Sequence, residues 1–126
     1  MEIIIFSNYS FLYKCDKIIC LSHFTKEDLL LFENVLENMQ QRNFCRVSEE
    51  KFIQKTDVVL DFVISTNDNG IIQLGKKNFS CQLTRGAYRE MEYIVKELLK
   101  NKLEGFQWLY DLDTSIDFLL SKDAKW

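Results

Sequence analysis

The chain has 126 residues, 47% of them hydrophobic, and a formal net charge of −3. This length is enough for one domain that buries its own core, and we expect a single domain over residues 1–126. Only four glycines occur, proline is absent and no internal repeat is evident, which argues against a disordered or repetitive chain. The negative charge also disfavours a general nucleic-acid-binding role.

The first predicted elements are strands followed by a helix. An apolar run at residues 2–6 predicts a first strand, and the runs at residues 11–14 and 17–21, on either side of Cys15 and Asp16, predict an N-terminal hairpin. A helix is predicted next, over residues 26–42. It begins at Thr25, which forms a capping-box pattern with the aspartate three residues later, and apolar residues follow at helical spacing.

The middle of the chain predicts three more strands and a second helix. Residues 58–65, 70–74 and 78–83 are apolar runs separated by Asn-, Asp- and Gly-rich segments of the kind that form hairpin turns. They predict a three-stranded antiparallel meander. A helix is predicted over residues 85–102, because Thr84 is a suitable N-cap and apolar residues again recur at helical spacing.

The final segment, residues 115–121, fits either a strand or a short helix. Apolar and polar residues alternate from Ile116 to Leu120 as in a strand, whereas Thr114 and Asp117 have the spacing that opens a helix. The alternation favours a strand. The full order of elements predicts an α+β fold, in which an antiparallel sheet, made of the N-terminal hairpin and the central meander, packs with the two helices.

Two features indicate the compartment. The first apolar run is too short for a secretory signal, and no run is long enough to span a bilayer. Cys15, Cys20, Cys45 and Cys81 lie in apolar stretches, which is typical of buried free thiols in a reducing compartment rather than of disulfides. We therefore expect a cytoplasmic protein with no membrane partner.

The residues that enzymes and metal sites require are sparse. His23, the only histidine, forms a Cys-x4-Cys-x2-His pattern with Cys15 and Cys20, but a fourth zinc ligand is not close in sequence. The scattered glycines form no phosphate-binding loop. The sequence therefore predicts no enzyme activity, no cofactor, no metal and no small-molecule substrate. Catalysis by clustered carboxylates is the remaining alternative.

Acidic and aromatic residues gather near the C-terminal end, and no Lys or Arg occurs over residues 105–121. Such a cluster is typical of a surface that meets a positive partner. The candidate partner-binding residues here are Asp111, Asp113, Asp117, Tyr110 and Trp108. The alternatives are a solvated acidic loop and, for the tryptophan, burial in the core.

A second candidate surface lies on the first predicted helix. Leu30 points away from the apolar stripe of that helix and lies near Glu33 and Glu37. An exposed leucine with an acidic rim is the composition of an interface anchor. The alternative is that the N-terminal hairpin covers this leucine.

A basic face is predicted on the second helix. Arg85, Arg89, Lys96 and Lys100 share one side of helix 85–102, opposite its apolar stripe. This side is either an ordinary solvated face or the surface of a small nucleic-acid-associated regulatory protein.

The closing segment resembles small bacterial immunity proteins of polymorphic toxin systems, in particular those of contact-dependent growth inhibition. The resemblance lies in residues 105–109 (Gly-Phe-Gln-Trp-Leu), residues 113–121 and the terminal Trp126, which is about the last quarter of the chain. It implies a non-enzymatic cytoplasmic inhibitor that binds the C-terminal domain of a cognate toxin, often a nuclease, and occludes its basic active-site cleft. No particular binding residue is implied by the resemblance.

Overall fold

The computed structural model describes residues 1–7, 17–101 and 105–124. In chain order its helices and strands are β1 (Glu2–Ser7), β2 (Lys17–Ser22), α1 (Lys26–Asn38), β3 (Phe44–Arg46), β4 (Val59–Ile64), β5 (Gly70–Gly75), β6 (Asn78–Leu83), α2 (Arg85–Lys100), β7 (Phe106–Trp108) and β8 (Ile116–Ser121). The predicted α+β class with two main helices is confirmed. None of the described helices has both the length and the apolar composition needed to cross a membrane.

The start of α1 follows the predicted capping box. Thr25 Oγ1 accepts a hydrogen bond from the Asp28 amide at 3.1 Å, and the Asp28 carboxylate accepts one from the Thr25 amide at 3.0 Å. The helix ends at Asn38, four residues before the predicted boundary, because the chain turns over Met39 toward β3. Thr84 caps α2 as predicted. The helix ends at Lys100, because Asn101 has an extended backbone and forms the C-cap, and residue 102 of the predicted helix lies outside the described residues.

The strands form two mixed sheets of four strands each, with the orders β1-β2-β8-β7 and β3-β4-β6-β5. In each sheet the two central strands are parallel and each outer strand is antiparallel to its neighbour. Strands β1 and β2 form an antiparallel pair. The predicted hairpin between residues 11–14 and 17–21 stays a prediction, because its first arm and its tip lie outside the described residues. The segment at residues 115–121 contains a strand, β8, as the alternation favours.

The predicted meander is wrong in its pairing. Strands β5 and β6 do form an antiparallel hairpin, but β4 pairs with β6 in parallel and not with β5. The reason is burial: Phe79, Ser80 and Cys81 of β6 are buried and occupy the centre of the sheet, whereas the second half of β5 is exposed and lies at its edge. The loop after β4 crosses the end of β6, where the Ser65 amide donates to the Leu83 carbonyl at 2.9 Å.

The same order of elements occurs twice, although the sequence shows no repeat. Residues 2–64 and residues 70–121 each contain an antiparallel strand pair, a helix and a second antiparallel strand pair. Each sheet takes one pair from each half, joined through β2 with β8 and through β4 with β6. The two halves are therefore interleaved, and neither completes a sheet on its own.

The main core lies where both sheets meet both helices. The ring of Phe62 on β4 is 6.2 Å from Phe32 of α1, 5.3 Å from Tyr88 of α2 and 6.0 Å from Phe118 of β8, measured between centroids. All four side chains are fully buried. The Tyr88 hydroxyl donates to the Cys81 carbonyl at 2.7 Å, so its polar atom is satisfied inside the core. This packing fixes α2 in position beside β7.

Candidate functional site

A groove of about 470 Å³ lies between α2 and the segment that contains β7 and the loop after it. One wall is the flank of α2 that carries Ala87, Glu90 and Ile94, whose spacing of three and four residues places them on one side of the helix. The opposite wall includes Trp108 and Leu112. The groove is thus a mostly apolar cleft with polar groups at its margin, which is the usual composition of a binding site.

The charged groups of this groove are all acidic. Asp68, Glu90 and Asp111 line it and are exposed, and none of the described lining residues is Lys, Arg or His. Asp68 is held beside the start of α2, because its carboxylate accepts a hydrogen bond from the Thr84 amide at 2.8 Å. Carboxylates at the margin of an apolar cleft concentrate a negative potential there. The groove therefore favours a cationic group with an apolar body.

Two of these acids were not among the predicted site residues. Asp68 lies in a turn segment and Glu90 is one of three glutamates in a helix with four basic residues, so neither stood out as a site residue in the sequence. One feature of the sequence could have indicated Glu90. Ala87, Glu90 and Ile94 are spaced so that they lie on one flank of α2, beside its core-facing stripe.

Trp108 is at the surface and not in the core. Its side chain and that of Phe106 alternate with Gln107 along β7, the edge strand of its sheet. Trp108 is 36% exposed and Phe106 is 41% exposed, and their rings meet edge to face with centroids 5.7 Å apart. A rigid exposed aromatic pair beside an acidic groove has the properties of an anchor in a protein interface.

Tyr110 lines the groove and also has a structural role. Its hydroxyl accepts a hydrogen bond from the Ile71 amide at 3.1 Å and donates to the Ile116 carbonyl, so it joins β5 of one sheet to β8 of the other. Burial raises the pKa of this hydroxyl above its ordinary range. Gly70 begins β5 at φ +75°, a conformation that L side chains rarely adopt, and an added Cβ would lie 3.2 Å from the hydroxyl oxygen, so both the backbone and the tight contact favour glycine.

The three predicted aspartates separate in space. Asp111 lines the groove, whereas Asp113 is exposed in the loop and does not line it. Asp117 lies on β8, next to the core-facing Phe118 and therefore on the opposite side of the strand. The aspartates are therefore not one cluster, and only the first belongs to the groove.

The second predicted surface is only partly as expected. Leu30 is 46% exposed, so the described residues leave it uncovered, and Glu37 on the same helix is exposed. Glu33 does not belong to an exposed rim, since it is 8% exposed and faces α2. Burial and a hydrogen bond with Glu92 raise the pKa of Glu33. The acidic rim around the leucine is therefore incomplete.

The predicted basic face of α2 packs against α1. The Arg85 guanidinium donates to the carbonyl of Met39, the C-cap of α1, and to that of Arg42 in the segment after this helix. Arg89 donates to the Gln40 side chain at 2.9 Å, and Lys96 lies 2.9 Å from Glu92. Lys100 has only the exposed Glu97 at 3.8 Å. Most of these cations hold the two helices together rather than forming an open basic surface.

One group of carboxylates has the spacing of a cation site. An oxygen from each of Glu33, Glu37 and Glu92 lies within 4.8 Å of the others. The Lys96 ammonium lies 2.9 Å from Glu92 and 3.6 Å from Glu33, so it already supplies the positive charge that a metal ion would bring. We assign this group to helix packing.

The cysteines and the histidine do not form a shared site in the described residues. Cys20, Cys45 and Cys81 are free and buried, and burial raises the pKa of each thiol to about 12, which makes them poor nucleophiles. His23 is at the surface, where its ring lies 2.7 Å from the Ser22 hydroxyl. Cys15 lies outside the described residues.

Comparison with known proteins gives no match: no family model, no curated protein and no solved structure is significantly similar to the chain. The resemblance of the closing segment to immunity proteins therefore stays a prediction from its residues.

Proposed function

We propose that this chain is an immunity protein, which binds and neutralises a positively charged toxin domain. The observation that carries the proposal is the groove beside Trp108, because it combines an apolar lining with the exposed carboxylates of Asp68, Glu90 and Asp111. The proposal includes no catalytic step. Under it, the protein acts in the cytoplasm, where an incoming toxin domain would meet it.

A nuclease toxin fits the chemistry of the groove. Such an enzyme holds phosphate groups, so its cleft must present Lys and Arg side chains. An inhibitor that offers carboxylates competes for those side chains, and opposite charges also speed the association. Trp108 would supply the apolar anchor that keeps the complex together once it has formed.

The first experiment tests the function itself. The chain should co-purify with the product of the adjacent gene, expected to encode a large secreted protein with a toxic C-terminal domain. Co-expression should rescue cells that produce that domain. A housekeeping gene at this position together with failure to rescue would contradict the proposal.

The second experiment tests the surface, with two substitutions in one loop as a matched pair. Asp111→Lys and Asp113→Lys change the charge equally, but only Asp111 lines the groove. We expect Asp111→Lys and Glu90→Lys to weaken toxin binding in a salt-dependent way and Asp113→Lys to have a much smaller effect. Trp108→Ala should weaken binding by roughly 30-fold, as for the central residue of an interface. Equal losses for Asp111→Lys and Asp113→Lys would place the contact elsewhere.

The nucleic-acid alternative has less support. It rests on the basic face of α2, and in the structure Arg85, Arg89 and Lys96 of that face donate to groups of α1 or pair with acids. Phosphate binding at these positions would have to compete with contacts that already join the two helices.

A further inference from the structure

We propose that a second cavity, where the start of α1 meets the end of α2, binds a small amphipathic carboxylate, meaning a carboxylate group on an apolar chain. The cavity measures about 500 Å³ and shares no lining residue with the groove beside Trp108. Its size is within the range of small-molecule sites. The inference is independent of the proposed toxin partner.

The interior of this cavity is apolar. Phe24 reaches it from the loop before α1, Leu29 from the first turns of that helix and Leu98 from the last turns of α2. Phe24 and Leu29 belong to the buried core, and Leu98 packs against it. The walls therefore rest on the core and are held in place without a ligand. A bound apolar chain would gain contacts here and leave water.

The margin of the cavity carries positive charge. Lys26 opens α1, Lys100 closes α2 and Lys122 follows β8, and all three line the cavity. None of the described lining residues is Asp or Glu. Three cations around an apolar interior complement a ligand with a negative head and an apolar body, whereas inorganic phosphate would leave the interior unfilled.

Lys26 and Lys122 have no carboxylate partner among the described residues, in contrast to Lys96 and Lys77. Lys96 lies 2.9 Å from Glu92, and Lys77 lies 2.5 Å from Asp57. By contrast, within the described ranges no carboxylate lies within 4.0 Å of the Lys26 or Lys122 ammonium groups, and Lys100 has only an exposed glutamate at 3.8 Å. A ligand carboxylate could therefore pair with these ammonium groups without breaking a strong existing ion pair.

The test uses three probes with the same eight-carbon chain and different head groups: octanoate, octan-1-ol and octylammonium. Each is titrated into the ¹⁵N-labelled full chain, and amide chemical shifts locate the binding. We expect octanoate to bind with a Kd below about 1 mM and to shift the amides of residues 24–29, 98–101 and 122. Octanol should bind more weakly, and octylammonium should not shift these amides.

Paired variants test the role of the lysines. The double variant K26Q/K122Q should weaken octanoate binding about fivefold, as expected for exposed ion pairs, and leave octanol binding unchanged. The control K51Q/K76Q removes the same charge from exposed positions elsewhere and should bind octanoate like the wild type. Equal affinity for octanoate and octanol, shifts centred on other residues, no shifts at all, or an unaffected K26Q/K122Q variant would each overturn the inference.

Discussion

Replacing Arg85 by glutamine is expected to destabilise the fold more than any other single loss of a cation on α2. The guanidinium donates to the Met39 carbonyl at 2.9 Å, to the Arg42 carbonyl at 3.0 Å and to the Asn43 side chain at 2.5 Å. The Met39 carbonyl is that of the C-cap of α1, whose last turn has no basic residue of its own, and Arg42 lies four residues beyond the last helical residue. Arg85 therefore provides the positive charge that stabilises this helix end.

The magnitude follows from the number and exposure of these contacts. A hydrogen bond that involves a charged group contributes about 1.5–3 kcal/mol to stability, and less where water competes for it. Two of the three contacts are at the surface, so we expect Arg85→Gln to lower the free energy of unfolding by about 2–3 kcal/mol rather than by the full sum. For a domain of this size that loss lowers Tm by roughly 10 °C.

Urea titration monitored by circular dichroism measures the effect. The midpoint should fall while the slope stays unchanged, because the same surface is exposed on unfolding. Arg89→Gln is the matched control, since Arg89 makes one exposed hydrogen bond to Gln40, and its cost should stay below about 0.5 kcal/mol. Arg85→Lys should lie between the wild type and Arg85→Gln. If Arg85→Gln and Arg89→Gln were equally stable, the assignment of Arg85 to the end of α1 would be refuted.

Three further results are expected. Tyr110→Phe should lower the free energy of unfolding by about 1–3 kcal/mol in the same titration, because two backbone groups lose the hydroxyl, whereas Tyr93→Phe at the surface should be neutral. The raised pKa of Glu33 means that the folded chain binds this proton more tightly than the unfolded chain, so stability declines as the pH rises between the two pKa values. Glu33→Gln should therefore gain stability relative to the wild type as the pH rises above the ordinary glutamate pKa of about 4.3. Glu37→Gln is its exposed control, and a pH-independent difference for Glu33→Gln would contradict the reasoning. Fluorescence anisotropy at low salt should show no DNA binding tighter than about micromolar, and tighter binding would restore the nucleic-acid alternative.

Local signals in the sequence were sufficient for the starts of both helices and for strands β4, β5 and β6, but not for the end of α1 or for the short strands β3 and β7. Thr25 and Thr84 act as N-caps in the structure as predicted, because capping depends on residues within one turn of each other. Strand pairing depends on residues far apart in the chain. The turn residues before Gly70 are equally compatible with a meander and with the observed crossing over β6, and only the burial of β6 decides between them.

The candidate site was predictable in part for the same reason. Trp108 and Asp111 stand three residues apart and were recognisable as an acidic and aromatic segment. Asp68 and Glu90 lie beside Trp108 and Asp111 only because of where α2 packs in the fold. That position could not be predicted from the sequence. Exposure was also hard to predict for Glu33, because its partner Glu92 is 59 residues away in the sequence and adjacent only through helix packing.

The interleaved fold explains how an acidic groove persists beside a basic stretch of sequence. Residues 76–102 contain seven Lys and Arg residues and three Glu residues, yet the groove that this stretch borders has no base among its described lining residues. Helix α2 separates the charges by flank. Arg85 and Arg89 face α1, where backbone carbonyls and a side-chain amide accept their hydrogen bonds, and Glu90 faces the groove. The net positive charge of residues 76–102 therefore suggests the wrong sign for the charge of the groove. The groove is negative because the contacts between the two helices keep Arg85 and Arg89 on the other flank of α2.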